Sequence, residues 1–104
     1  MNYFETVLLL DPELSDSNAE GHIKAAKDII TQKGGEIVNE LSWGKKKLAY
    51  LINNYSVANF HIIRHKGSED VNSELATKVR ITDGMLRQMT VVIKENELER
   101  NFDF

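Results

Sequence analysis

Residues 3–10, Tyr-Phe-Glu-Thr-Val-Leu-Leu-Leu, alternate between two largely apolar sets. One face carries Phe4, Thr6, Leu8 and Leu10; the other carries Tyr3, Glu5, Val7 and Leu9. A strand that is apolar on both faces is predicted to lie in the middle of its sheet. Thr6 is the one polar side chain on its face. Pro12 ends the strand, because it has no amide hydrogen to give to a ladder. The period then changes. Ala19, Ile23, Ala26 and Ile30 recur at helical spacing and predict a helix from about Ser17 to Lys33. Ser17 and Glu20 have capping-box spacing, with Ser15 an alternative cap. Glu20 and Lys24 are placed for an i,i+4 ion pair. Gly34-Gly35 supplies the positive φ that stops a helix.

Alternation returns from Glu36 to about Ile52, interrupted near Gly44, where a glycine in a strand pattern marks a bulge or a close backbone approach. Asn53-Asn54 is turn chemistry. A further strand, Ser56 to Lys66, sets Ala58, Phe60 and Ile62 against Asn59, His61, Ile63 and His65, and it is predicted to pair antiparallel with the strand before it. Val71, Leu75 and Val79 are spaced by four and mark a second helix from about Asp70 to Ile81, stopped by Thr82-Asp83-Gly84. Leu86 to Lys94 alternates Met89, Val91 and Ile93 against Gln88 and Thr90 and makes the last strand. The order βαββαβ predicts an α+β, ferredoxin-like fold: a four-stranded antiparallel sheet with both helices on one face.

Composition narrows the function classes. A chain of 104 residues is one domain by size, able to bury somewhat over 60% of its unfolded surface. It has no cysteine, which removes disulfides, thiolate metal sites and thiol nucleophiles and suits a reducing compartment. The N-terminal segment lacks a signal-peptide layout, and no apolar run approaches the ~20 residues of a membrane span, so a cytoplasmic protein is expected. The net charge of −3 resides in residues 95–104, where Glu95, Glu97, Glu99 and Asp103 face only Arg100. Residues 1–94 are electrically balanced and form the expected domain; residues 95–104 form an acidic tail in which Leu98, Phe102 and Phe104 interleave with carboxylates. Such a tail is either a frayed terminus or a segment for a basic protein partner.

Within the balanced domain, Trp43-Gly44-Lys45-Lys46-Lys47-Leu48-Ala49-Tyr50 stands out. Adjacent ammonium groups repel and suit a polyanion, and flanking aromatics can stack on exposed bases. Other chemistry finds little support. His61 and His65 are four apart, but on a strand that is ~13 Å, too far to share an ion. No metal or cofactor is expected, and the imidazoles are expected to face solvent or RNA. No glycine-flanked serine elbow, phosphate-binding glycine loop or paired acid–base set occurs, so no enzymatic activity is expected. The third strand also lacks the basic-Gly-aromatic signature of the RNA recognition motif.

The ordered set of Tyr3-Phe4-Glu5, Asp11-Pro12-Glu13-Leu14, Gly34, the Gly44–Tyr50 segment with Ile52, Leu75, Arg80-Ile81, Asp83 and Arg87 resembles the bacterial small-subunit ribosomal protein S6 family over roughly residues 2–94. The resemblance implies a non-enzymatic ribosomal component that binds small-subunit rRNA in its central domain together with ribosomal protein S18, and an isolated chain that is monomeric. With it, the rRNA contacts are expected on Lys45, Lys46, Lys47, Tyr50, Arg80 and Arg87; the acidic-aromatic composition of the tail, outside the resemblance, suggests Leu98, Phe102 and Phe104 for a partner. These cations are expected along a single sheet edge. Departures are Leu51, where the family usually has proline, and lysines where arginines are common, which gives up bidentate phosphate geometry. A regulatory or small-molecule-binding ferredoxin-like domain that dimerises through its sheet is the competing class, suggested by Val7 and Leu9.

Overall fold

The computed structural model describes residues 2–102. Four strands and two helices follow the order β1 (Asn2–Leu10), α1 (Asp16–Gln32), β2 (Glu36–Ile52), β3 (Tyr55–Gly67), α2 (Asp70–Ile81) and β4 (Met85–Val92). The strands form one antiparallel sheet in the order β2-β3-β1-β4. The fold is the ferredoxin-like βαββαβ arrangement expected from the pattern, with β1 central.

The faces follow from the two-residue period of the strands. Leu8, Leu10 and Ile63 pack with Ala19, Ala26, Ile30, Val71, Leu75 and Val79 into one core beneath both helices. All three residues of the α2 stripe and three of the α1 stripe are therefore core, and Ile23 packs against it half-buried. Thr6 lies on this helix-covered face, and its apparent mismatch has a structural answer. Its hydroxyl lies 2.7 Å from His65 Nε2 and 2.9 Å from Thr90 Oγ1, and Gln88 donates to Thr90 in turn. One polar chain, buried at Thr6 and His65 and half-buried at Thr90 and Gln88, thus crosses three strands with both hydroxyls partnered.

Local details depart from expectation in three places. The α1 cap is Ser15, whose Oγ accepts from the Asn18 amide at 3.2 Å; Ser17 lies inside the helix, two residues past the cap position. Lys24 pairs with Asp28 at 2.9 Å, so its partner lies one turn forward and is not Glu20. The histidines are not exposed: His65 is 1% accessible and His61 8%. His65 stacks at 5.5 Å from Phe4, and His61 Nε2 lies 2.9 Å from Glu40 Oε2, because both rings point toward the helices.

Two glycines set the shape of the long β2–β3 hairpin. Gly44, at φ +90°, accompanies the bulge between Ser42 and Gly44, as its place in the strand pattern suggested. Gly35 serves a close approach: a Cβ there would come within 2.7 Å of the Lys66 carbonyl and 2.8 Å of the Ile30 carbonyl. Gly35→Ala is expected to destabilise the fold by about 2 kcal/mol or more, since backbone on both sides must give way. Urea titration would show it; an unchanged midpoint would mean that the α1–β2 corner yields freely.

Candidate nucleic-acid interface

β3 begins four residues before the Asn59–Leu10 pairing, so the β2–β3 hairpin projects past the end of β1. Its tip is a two-residue turn, Asn53 and Asn54 at φ +49° and +69°, closed by the Ile52–Tyr55 pair. Asparagine tolerates this left-handed geometry, which matches the twist of the flanking strands. Lys45, Lys46 and Lys47 lie on the projecting arm, in register with Asn59, Ala58 and Val57. Alternation sends Lys46 to the helix-free face and Lys45 and Lys47 to the other. All three are exposed, as is Tyr50 at 67%. Trp43 packs edge-on against Phe60 at 5.3 Å, and the Lys46 ammonium sits 5.2 Å from the Trp43 ring centroid. The tryptophan therefore braces the arm and holds one lysine by cation–π attraction.

Arg80 and Arg87 sit elsewhere. Both line a cleft of about 570 Å³ between the hairpin tip and the α2–β4 turn, together with Asn53, Tyr55, Asp83 and Gly84. Gly44, Phe60, Leu9 and Arg87 form one row across the four strands, so the lysine arm and Arg87 occupy opposite edges, roughly 14 Å apart at the strand spacing. The expectation of a single basic edge is thus corrected. β2 and β4 are the two outer strands, and of the hairpin only the tip, through Asn53 and Tyr55, lines the arginine cleft.

Their electrostatic state sets these cations apart from those held in ion pairs. Lys24, Lys27, Lys33, Lys66 and Arg64 are neutralised by Asp28, Glu40, Glu74, Glu36 and Glu5 at 2.8–3.4 Å. Among the described residues, no carboxylate pairs with Lys45, Lys46, Lys47, Arg80 or Arg87. Lys78, Lys94 and Arg100 share that state but are dispersed over α2 and the tail.

The tail is ordered on the sheet as far as it is described. Glu95–Glu97 forms a single 3-10 turn, and Leu98 is buried. Arg64, on the helix-free face and 7% accessible, donates to the Arg100 carbonyl and to Glu5 and lies 3.9 Å from the Phe102 ring centroid. Leu98 and Phe102 are therefore engaged by the chain itself; Phe104 lies outside the described residues. Reasoning from sequence missed Arg64 as the tail's anchor and Tyr55 as a cleft residue. Tyr55 donates its hydroxyl to Asp11 Oδ2 at 2.9 Å, and that bond, with burial behind it, raises the phenol above its ordinary pKa. The Asn-Asn-Tyr order at a turn was the available signal for Tyr55; Arg64 had none.

A ferredoxin-like scaffold that leaves cations without carboxylate partners on a projecting arm and in a cleft belongs to the class of small α+β domains with no membrane-crossing helix among the described residues and a surface suited to an anionic partner. The sequence comparison is specific. Residues 3–92 match the family model for ribosomal protein S6, and the chain belongs to that family. It is 40% identical over 91 residues to the small ribosomal subunit protein bS6 of Caldanaerobacter subterraneus, covering 88% of this chain and 96% of that one. It is 32% identical over 102 residues to the bS6 protein of Aquifex aeolicus, covering 97% and 93%. The crystal structure of the 30S ribosomal protein S6 of Thermotoga maritima shares the fold, with a TM-score of 0.81 at 22% identity over 88% of this chain and 87% of that one. The chain is accordingly a structural protein of the bacterial small ribosomal subunit, and its location is the cytoplasmic ribosome.

Proposed function

We propose that this protein binds small-subunit rRNA, in the central domain, together with ribosomal protein S18. Lys45, Lys46 and Lys47 neutralise backbone phosphates from the hairpin arm, Arg80 and Arg87 do so from the cleft, and Tyr50 packs on sugar or partner. The observation that carries this reading is the grouping of cations: Lys24, Lys27, Lys33, Arg64 and Lys66 are satisfied by carboxylates, whereas the arm and cleft cations are without a carboxylate partner among the described residues and grouped, three on one arm and two in one cleft. Phosphate contacts of this kind set position and affinity without reading sequence.

The acidic tail supports the basic partner. With Leu98 and Phe102 turned onto the sheet, Glu95, Glu97 and Glu99 remain to meet S18, so the pairing is one of charge complementarity. Because residues 1–94 carry no net charge, RNA binding by the chain alone is weak and strengthens with the partner present.

Binding of an rRNA central-domain fragment, measured with S18 across a salt series, tests the reading. Five phosphate contacts predict a log–log slope of about −3.5 to −4.5 for this chain's contribution. A fragment that fails to bind, or an affinity indifferent to salt, would refute it.

A further inference from the structure

The cleft between the hairpin tip and the α2–β4 turn has more than charge. Its lining joins two unpaired guanidinium groups, Arg80 and Arg87, to an aromatic ring, Tyr55, and a carboxamide, Asn53. Tyr55 is half-buried, and its hydroxyl is tethered 2.9 Å from Asp11 Oδ2, so the ring is fixed before any ligand arrives. Asp11 is itself held in place, its amide donating to the Gly84 carbonyl at 2.9 Å. Asn53 is exposed at the rim, in the left-handed turn at the hairpin tip. A volume of about 570 Å³ lies within the range of small-molecule sites. A phosphate alone would need only the arginines. A fixed aromatic platform beside a cationic pair is the equipment for a base that has left its stack, with the base lying on the ring and its phosphate on the guanidinium groups. Asp83 also lines the cleft and disfavours a bare polyanion there, which favours a ligand with an uncharged part.

We infer that this cleft takes one unstacked nucleotide of the bound RNA, its base on the Tyr55 ring with Asn53 at the base edge and its phosphate between Arg80 and Arg87. The inference rests on the RNA-binding reading above and adds to it a site for single-stranded, not duplex, RNA. The hairpin arm then handles continuous backbone while the cleft handles one extruded residue.

The test uses the full chain, isotope-labelled for NMR, titrated separately with adenosine 5′-monophosphate, ribose 5-phosphate and inorganic phosphate. The nucleotide is expected to shift the Asn53, Tyr55 and Gly84 amides saturably in the millimolar range, about 10-fold tighter than ribose 5-phosphate, the difference being the stacking contribution. Tyr55→Leu should erase that 10-fold difference while leaving the ribose 5-phosphate titration unchanged, and Arg80→Gln with Arg87→Gln should weaken all three ligands. Tyr55→Phe, which keeps the ring and drops the tether, should retain most of the difference and shows that the fold tolerates change at this position. Equal response to the nucleotide and to ribose 5-phosphate, or no localised shift with any of them, would overturn the inference. Binding of the rRNA fragment by the same preparation separates the two ideas: if the fragment binds with the salt dependence above while the nucleotide does not, the cleft inference falls and the RNA-binding reading stands.

Discussion

Lys45→Glu combined with Lys46→Glu is expected to weaken binding to the rRNA fragment on the order of 100-fold at physiological salt. Two phosphate contacts are lost and two repulsions replace them. The salt slope should shrink by about two units, one for each contact removed. Folding should be nearly untouched. Both side chains are exposed and carry no ion pair, and surface changes of that kind usually stay within about 0.5 kcal/mol. The one structural loss is the Lys46 ammonium over Trp43, at about 0.5–1 kcal/mol for an exposed cation–π contact. Thermal melts beside filter-binding isotherms would separate the effects. A double variant that melts like the parent and binds equally well would remove the hairpin arm from the interface. Lys24→Glu with Lys27→Glu, at cations already committed to Asp28 and Glu40, is the matched control and should leave the salt slope unchanged.

Acidification should uncover the second large effect, at His65. Burial lowers its pKa from 6.5 to about 4, so the folded chain refuses a proton that the unfolded chain accepts. The stability this group contributes is complete above pH 6.5 and is lost as pH falls toward 4, the unfolded state binding more protons in that window. The depression corresponds to about 3 kcal/mol. Denaturant titrations at pH 7 and pH 4 would show the loss, and His65→Gln is the diagnostic variant. The amide can still bond the Thr6 hydroxyl but does not titrate, so the variant, though less stable at pH 7, should lose about 3 kcal/mol less on acidification. Equal losses in both proteins would mean that the imidazole is protonated within the fold without cost.

Periodicity made most of the fold legible. The α1 and α2 stripes, the doubly apolar β1 and the asparagine turn each depend on residues near one another in the chain. Less was legible where the outcome depended on distant residues. The Ser15 cap prevailed over Ser17 because the helix begins one residue earlier than its apolar stripe suggests. His61 and His65 read as surface groups because polar side chains on a strand usually face water. Their burial depends on Thr6 and Glu40, which no local pattern links to them. The candidate site was half legible. Lys45–Lys47 are contiguous and announce themselves, whereas Arg80 and Tyr55 share a cleft only because the hairpin tip lies beside the α2–β4 turn. The single-edge expectation failed for a topological reason: β2 and β4 are far apart in strand order, and residue spacing does not encode which strands end up outermost.

The position of β1 has a consequence for synthesis. Its residues pair with β3 on one side and β4 on the other, and Phe4 meets Val92 across nearly the whole chain. β1 precedes both of its partners in the chain and is fully enclosed only once β4 has formed. It emerges with both ladders open, gains one neighbour when the β3 segment follows, and keeps a bare hydrogen-bonding rim until β4 is released. Closing that long loop costs chain entropy that forming either helix does not. During the interval the nascent chain displays an apolar ribbon to whatever chaperone or neighbouring polypeptide is nearby.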